Sequence, residues 1–123
     1  MSTFKVDVLQ SRSGGATTFT GQVAAKQWCS FNTVTTTSLR NSFNTTSLTD
    51  NGTGDTTVTF TNAMADANYN FSLSLQMVSG SAVYVGHAVS GTANPTTSTT
   101  RMISLTNANV LADATIINQA IIT

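Results

Sequence analysis

The stretch Tyr69-Asn-Phe-Ser-Leu-Ser-Leu-Gln-Met77 decides the fold class. A large apolar residue occupies every odd position from 69 to 77, and Asn, Ser or Gln occupies every even position between them. Successive side chains of a β-strand point to opposite faces of a sheet. The alternation therefore predicts a strand with one buried face and one face that meets water or a partner.

Strands are also predicted on both sides of this stretch. The segments with strand-like composition are 4–9, 23–31, 42–48, 56–61, 82–89, 101–105 and 115–122. Turn residues separate them, and the cluster Asp50-Asn-Gly-Thr-Gly-Asp55 is typical of a hairpin loop. No helix pattern competes, because residues 107–114 are enough for one short turn at most. We therefore expect an all-β chain, an antiparallel β-sandwich of jelly-roll or immunoglobulin-like type.

Composition limits the function classes. The 123 residues fit one domain, and 24 Thr, 14 Ser and 11 Asn suit strands and turns. Only 10 residues are charged and the net charge is zero, which excludes an electrostatic nucleic-acid binder. No apolar run approaches the ~18 residues of a membrane span, and the first ten residues do not resemble a signal peptide. We expect a protein that is made in a cytosol and does not insert into a membrane.

The N-terminus predicts an arm. Ser11-Arg-Ser-Gly-Gly15 separates residues 1–15 from a single sandwich domain at 16–123. A six-residue strand with nothing local to pair with needs a neighbour, either the main domain or another chain. The residues expected to dock the arm are Phe4, Val6, Val8 and Leu9. At the other end, two Ile-Ile pairs in 115–123 indicate a covered central strand or a subunit interface.

Candidate chemistry is sparse. One cysteine, Cys29, excludes an intrachain disulfide framework and fits a small buried thiol. The single His87 is expected to be a polar residue on a sheet face, although three copies on a trimer axis would form a zinc site. The segment 50–55 superficially resembles a calcium loop, but the chain contains no Glu, so a hairpin turn is favoured. We predict no catalytic residue, metal or cofactor.

Five motifs in order resemble a module of tail-fibre and related structural proteins of tailed bacteriophages, including phages of marine bacteria and cyanobacteria. They lie at 25–32 (AKQWCSFN), 39–44 (LRNSFN), 47–55 (SLTDNGTGD), 57–61 (TVTFT) and 63–69 (AMADANY). The opening MSTFKVDVLQ is similar to the start of such proteins. This chain departs from the module at Cys29, at 33–37, at Thr56 and at Ala65, in ways that keep the strand pattern.

The resemblance implies a virion surface protein without enzymatic activity, assembled in the host cytoplasm. It implies a homotrimer, an arm that docks onto other virion proteins, and structural roles for the shared aromatic residues. The expected core anchors are Trp28, Phe31, Phe43, Phe60, Tyr69 and Phe71. Receptor-contacting residues would lie in variable loops and in the second half of the chain, which the motifs do not reach.

Three functions remain open on the sequence alone. The first is a short tail fibre or receptor-binding appendage that contacts a host surface glycan or other receptor. The second is a capsid decoration, knob or cement protein with a purely structural role. The third is a carbohydrate-active enzyme, for which the five Asp residues provide no convincing acid pair.

Overall fold

The computed structural model describes residues 25–76, 83–87 and 94–122. They form eight strands: β1 (Ala25–Asn32), β2 (Ser38–Phe43), β3 (Ser47–Gly52), β4 (Asp55–Thr59), β5 (Asn70–Gln76), β6 (Val83–His87), β7 (Thr99–Thr106) and β8 (Ile116–Ile122). Within these ranges, no helix is long and apolar enough to cross a bilayer.

The strands form two antiparallel sheets that pack against each other. Sheet I has the order β2-β1-β8-β5, and sheet II has the order β3-β4-β7-β6. This confirms the predicted all-β sandwich, whose strand order the sequence left open. The last strand, β8, pairs with β1 on one side and β5 on the other, so the Ile-rich terminus is a central strand.

The core lies between the inward faces of the two sheets. Alternating burial along β4, β7 and β8 places every second side chain inside, as expected for strands with one face in the core. The buried apolar set is Cys29, Phe31, Val58, Phe60, Met64, Tyr69, Met102, Ala114, Ile117 and Ile121. The partly buried side chains packed against it are Leu48, Phe71, Leu73 and Leu75.

Three of the predicted aromatic anchors form one edge-to-face chain. The ring of Tyr69 lies 6.1 Å from that of Phe60 and 6.3 Å from that of Phe71. Its hydroxyl donates towards the carbonyls of Thr96 (3.0 Å) and Thr99 (3.2 Å), and burial raises the pKa of Tyr69 to about 12. A buried phenol with acceptors for its proton is stable in its neutral form. The fourth anchor, Phe31, is fully buried.

The prediction that Trp28 and Phe43 are core anchors is wrong. Trp28 is 37% exposed and Phe43 is 54% exposed. The buried Cys29 and Phe31 define the inward face of β1. Trp28 is one residue from Cys29 and three from Phe31, so its side chain points to the opposite face. Phe43 lies directly opposite Trp28 in the β1–β2 ladder and shares its outward direction.

The predicted strand 42–48 is two strands joined by a crossover between the sheets. The break occurs at Asn44, whose φ of 54° lies in the left-handed region that Asn tolerates. Its side-chain amide donates to the carbonyls of Lys26 (2.9 Å) and Asn62 (3.1 Å), and its Oδ1 accepts from the backbone NH of Asn62 at 2.7 Å. These bonds hold the chain as it passes from β2 in sheet I to β3 in sheet II.

The predicted hairpin at 50–55 is present, with a tighter turn than expected. β3 extends to Gly52 and β4 begins at Asp55. Gly54, at φ +65°, packs so closely that an added Cβ would lie 2.6 Å from the backbone nitrogen of Ala112. Its NH donates to Asp113 Oδ1 at 2.7 Å, and its carbonyl accepts from the NH of Ser104 at 2.8 Å. The turn is therefore tied to the segment that leads into β8.

The predicted arm at 1–15, with Phe4, Val6, Val8 and Leu9, lies outside the described residues. His87 ends β6, where its backbone pairs with Met102 in β7.

Candidate functional site

The outer face of sheet I carries a row of unlike side chains that crosses three of its four strands, β1, β8 and β5. Trp28 lies opposite Ala120, and Ala120 lies opposite Ser72. Directly paired residues point to the same side of an antiparallel sheet. The small Ala120 therefore separates a large aromatic ring from a hydroxyl, and a depression forms above it.

A second row runs beside the first. Ser30 lies opposite Asn118, which lies opposite Ser74. Neighbouring strands are about 4.8 Å apart, and the two rows are about 7 Å apart because they differ by two residues along each strand. The two rows thus form a small grid of polar groups next to the indole of Trp28.

The structure shows a shallow groove at this place, with a volume of about 310 Å³. We call it the Trp28 groove. Its lining residues are Trp28, Cys29, Ser30, Ser72, Ser74, Asn118, Gln119 and Ala120. None of these eight side chains carries a charge at neutral pH, since burial raises the pKa of the Cys29 thiol to about 11.

Some polar groups of the groove have hydrogen-bonding capacity that no other described residue uses. Asn118 Nδ2 donates to Ser74 Oγ at 3.2 Å, and no described residue bonds the Asn118 carbonyl oxygen. Among the described residues, none bonds the side-chain hydroxyls of Ser30 and Ser72 or the indole NH of Trp28. A hydroxyl both donates and accepts, so the groove offers donors and acceptors within one small area.

A buried amide pair lies directly behind the groove. Gln119 Nε2 donates to Gln27 Oε1 at 2.8 Å, and Gln27 Nε2 donates to Thr45 Oγ1 at 2.9 Å. Gln27 is 0% exposed and Gln119 is 3% exposed, and Gln119 Oε1 is a buried acceptor without a partner among the described residues. A one-residue slip between β1 and β8 would break this pair, so it helps to fix the register of both groove rows.

Further apolar side chains are exposed around the sandwich. Phe43 and Leu39 lie on the edge strand β2, and Val110 (60% exposed) and Leu111 (42% exposed) lie in the turn before β8. That turn is firmly held, because Thr106 NH donates to the Val110 carbonyl at 2.8 Å and Asn109 NH donates to the Thr106 carbonyl at 2.9 Å. Contiguous patches of exposed apolar groups mark contact surfaces, whereas isolated ones are ordinary.

The acidic residues of the β3–β4 hairpin serve the fold. Asp55 Oδ1 accepts from Arg101 Nε at 2.8 Å, and this guanidinium holds the pKa of Asp55 below its usual range. Asp50 Oδ1 accepts from Gly52 NH, and its Oδ2 accepts from the Thr37 hydroxyl, both at 2.9 Å. In the described part of the chain, no three His, Cys, Asp or Glu residues cluster as metal ligands would.

Sequence reasoning missed the Trp28 groove. The predicted core contains both Trp28 and Phe31, although a spacing of three places their side chains on opposite faces of a strand. The alternation of side chains along β1 is the signal that separates them. The exposed face of β5 that carries Ser72 and Ser74 was predicted correctly, but no residue near them in the sequence indicates that Trp28 lies two strands away.

Comparison of the chain with protein families, curated proteins and solved structures finds no match. The geometry of the groove and the sequence motifs therefore carry the proposal for its function.

Proposed function

We propose that the chain is a bacteriophage virion surface protein, a short tail fibre or receptor-binding appendage that attaches the particle to its host. The observation that carries this proposal is the exposure of Trp28 beside an open, uncharged groove on a sheet face. Trp is enriched in binding sites because it combines a large rigid apolar surface with a hydrogen-bond donor. The sequence motifs around Trp28 resemble those of phage tail-fibre proteins, and this resemblance is the reason that we propose a virion protein.

The groove suits binding better than catalysis. General acid–base and nucleophilic catalysis need a titrating group within reach of the substrate. The groove offers hydroxyls and an amide, and the Cys29 thiol behind it belongs to the core and has a pKa of about 11, which keeps it protonated at neutral pH. We therefore propose an attachment protein without enzymatic activity, assembled in the host cytoplasm and carried on the virion.

A second candidate is a capsid decoration or cement protein. It is favoured by Phe43, which is exposed on the edge strand β2 directly opposite Trp28. An edge strand with apolar side chains can be covered by a neighbouring protein subunit. In this alternative the same face of sheet I is buried against the virion and never meets the host.

Labelled antibodies against the chain, imaged on virions of the phage that encodes it, test both candidates. Label at the tail supports attachment, and label spread over the capsid supports decoration. Purified chain should also bind host cells saturably and slow adsorption of the phage. Absence of the chain from purified virions would refute both candidates.

The oligomeric state provides a separate test of the proposed homotrimer. Light scattering of the full chain should give a mass near three times 12.8 kDa. A monomer at micromolar concentration would refute the free trimer and would favour a protein that gains its partners on the particle.

A further inference from the structure

We propose that the Trp28 groove binds one uncharged pyranose residue of a host surface glycan, with the C–H face of the sugar against the indole and its hydroxyls over the polar rows. This inference rests on the proposed attachment function and names its ligand class.

The size and shape of the groove fit a sugar unit. Its volume of about 310 Å³ lies at the lower end of the range of small-molecule sites, which begins near 300 Å³. The groove is open along the sheet, so neighbouring sugars of a chain would extend into water. An internal or terminal residue of a polysaccharide can therefore enter without burial of the whole chain.

The arrangement of apolar and polar groups matches the two sides of a pyranose. The ring C–H groups form an apolar patch that packs on an aromatic face, as the indole of Trp28 provides. Hydroxyls at the ring edge need partners that donate and accept. Ser72, Ser30 and the Asn118 carbonyl oxygen offer these across the width of β1, β8 and β5.

The groove is also preorganised. β1 and β8 are the two central strands of sheet I, each paired on both sides. Their register is held from behind by the buried Gln27–Gln119 hydrogen bond. Binding groups on rigid strands lose little conformational freedom when a ligand arrives, which matters for a ligand that makes few contacts.

The lack of charge among the lining residues selects against acidic sugars. A carboxylate that entered the groove would lose water and find no cation, which is unfavourable. We therefore expect discrimination between neutral pyranoses and sialic or uronic acids.

The test uses the fact that Trp28 is the only tryptophan, so intrinsic fluorescence reports on the groove directly. Methyl glycosides of glucose, galactose, mannose and N-acetylglucosamine are titrated into the full chain, with sialic and glucuronic acid glycosides in parallel. At least one neutral glycoside should shift the emission saturably and protect Trp28 from acrylamide quenching. Affinity for a single sugar should be weak, about millimolar, so an immobilised glycan array provides the multivalent readout.

Two variants and a control locate the site. Trp28→Ala removes the stacking wall, and Ala120→Gln fills the depression while it leaves Trp28 in place. Each should weaken array binding about tenfold or more. Phe43→Ala removes the neighbouring exposed ring, which does not line the groove, and should change binding less than about twofold. Far-UV circular dichroism must show that each variant keeps the fold.

Host-cell binding separates this inference from the proposed function. Binding that depends on Trp28 and is lost when periodate destroys the cell-surface sugars supports both. Trp28-dependent binding that survives periodate but not protease overturns the glycan inference and leaves the attachment role intact. No saturable response to any neutral sugar, on the array or in solution, also overturns the inference. Sugar binding by a chain that does not bind host cells supports the groove and refutes attachment.

Discussion

The buried amide pair behind the groove predicts an unequal response to two chemically identical substitutions. Gln27 makes two side-chain hydrogen bonds, to Gln119 and to Thr45, whereas Gln119 makes one and leaves its Oε1 unpaired among the described residues. Leucine is close in size to glutamine and removes both polar ends. Gln27→Leu should therefore be clearly more destabilising than Gln119→Leu.

The magnitudes follow from a count of unpaired buried polar groups. Each such group costs about 1–3 kcal/mol. Gln27→Leu adds one, the Nε2 of Gln119, because the half-buried Thr45 can turn to water. We expect a loss of about 2 kcal/mol. Gln119→Leu removes one unpaired oxygen and creates another on Gln27, so its net effect should lie within about 1 kcal/mol.

The double variant completes the cycle. With both glutamines replaced, no unpaired amide remains at these two positions, and stability should return to within about 1 kcal/mol of the original or exceed it. The coupling energy between the two positions should then be about 2 kcal/mol, as found for side chains in direct contact.

Urea unfolding, followed by Trp28 fluorescence and by far-UV circular dichroism, measures these differences. The midpoint should move while the slope of unfolding free energy against urea stays constant. Gln76→Leu, on the exposed end of β5, is the matched control and should change stability by less than about 0.5 kcal/mol. Equal losses in the two single variants, or a double variant that loses their sum, would refute the hydrogen-bond assignment.

Three other experiments test the description of the fold. Phe31→Ala, in the core, should lower the free energy of unfolding by about 3–5 kcal/mol. Trp28→Ala should lower it by only about 1–2 kcal/mol, because the ring is partly exposed and its removal leaves no closed cavity. Equal losses in chemical denaturation would contradict this. Gly54→Ala should destabilise the fold by about 3 kcal/mol or more, since the added Cβ meets backbone atoms. Gly52→Ala should cost less, because the added Cβ has open space and only the φ angle is strained. Similar melting temperatures for these two variants would show that the turn is not packed as described. The pKa of Asp55 is lowered in the folded state, so its contribution to stability is present above about pH 4 and is lost as the pH falls through the folded pKa. Asp55→Asn should flatten the fall in melting temperature below pH 4, and an unchanged profile would remove this pair from the acid response.

The fold class could be predicted because it depends on local periodicity. The alternation in β5 and the Gly, Asn and Asp cluster at 50–55 each indicate strand structure without knowledge of the rest of the chain. The crossover at Asn44 was missed because the flanking residues on both sides have strand composition. What ends β2 there is a set of hydrogen bonds to Lys26 and Asn62, each 18 residues away along the chain.

The groove could not be predicted, because it depends on strand order. Trp28, Ala120 and Ser72 come from three distant parts of the sequence and meet only because β8 lies between β1 and β5. That order is a global property of the sandwich. Only the outward direction of Trp28 could be predicted locally, because side chains alternate along a strand and Phe31 is assigned to the core.

The unusual phase of β1 is itself an argument for a binding role. In Gln27-Trp28-Cys29, the strand buries the amide and exposes the indole, which is the reverse of the usual partition. Burial of Gln27 demands partners that Thr45 and Gln119 supply, and exposure of Trp28 forgoes hydrophobic stabilisation. Neither feature adds hydrophobic stabilisation to the folded state. Where local choices oppose stability in this way, a functional surface is the expected reason, and the groove beside Trp28 is the surface that this arrangement creates.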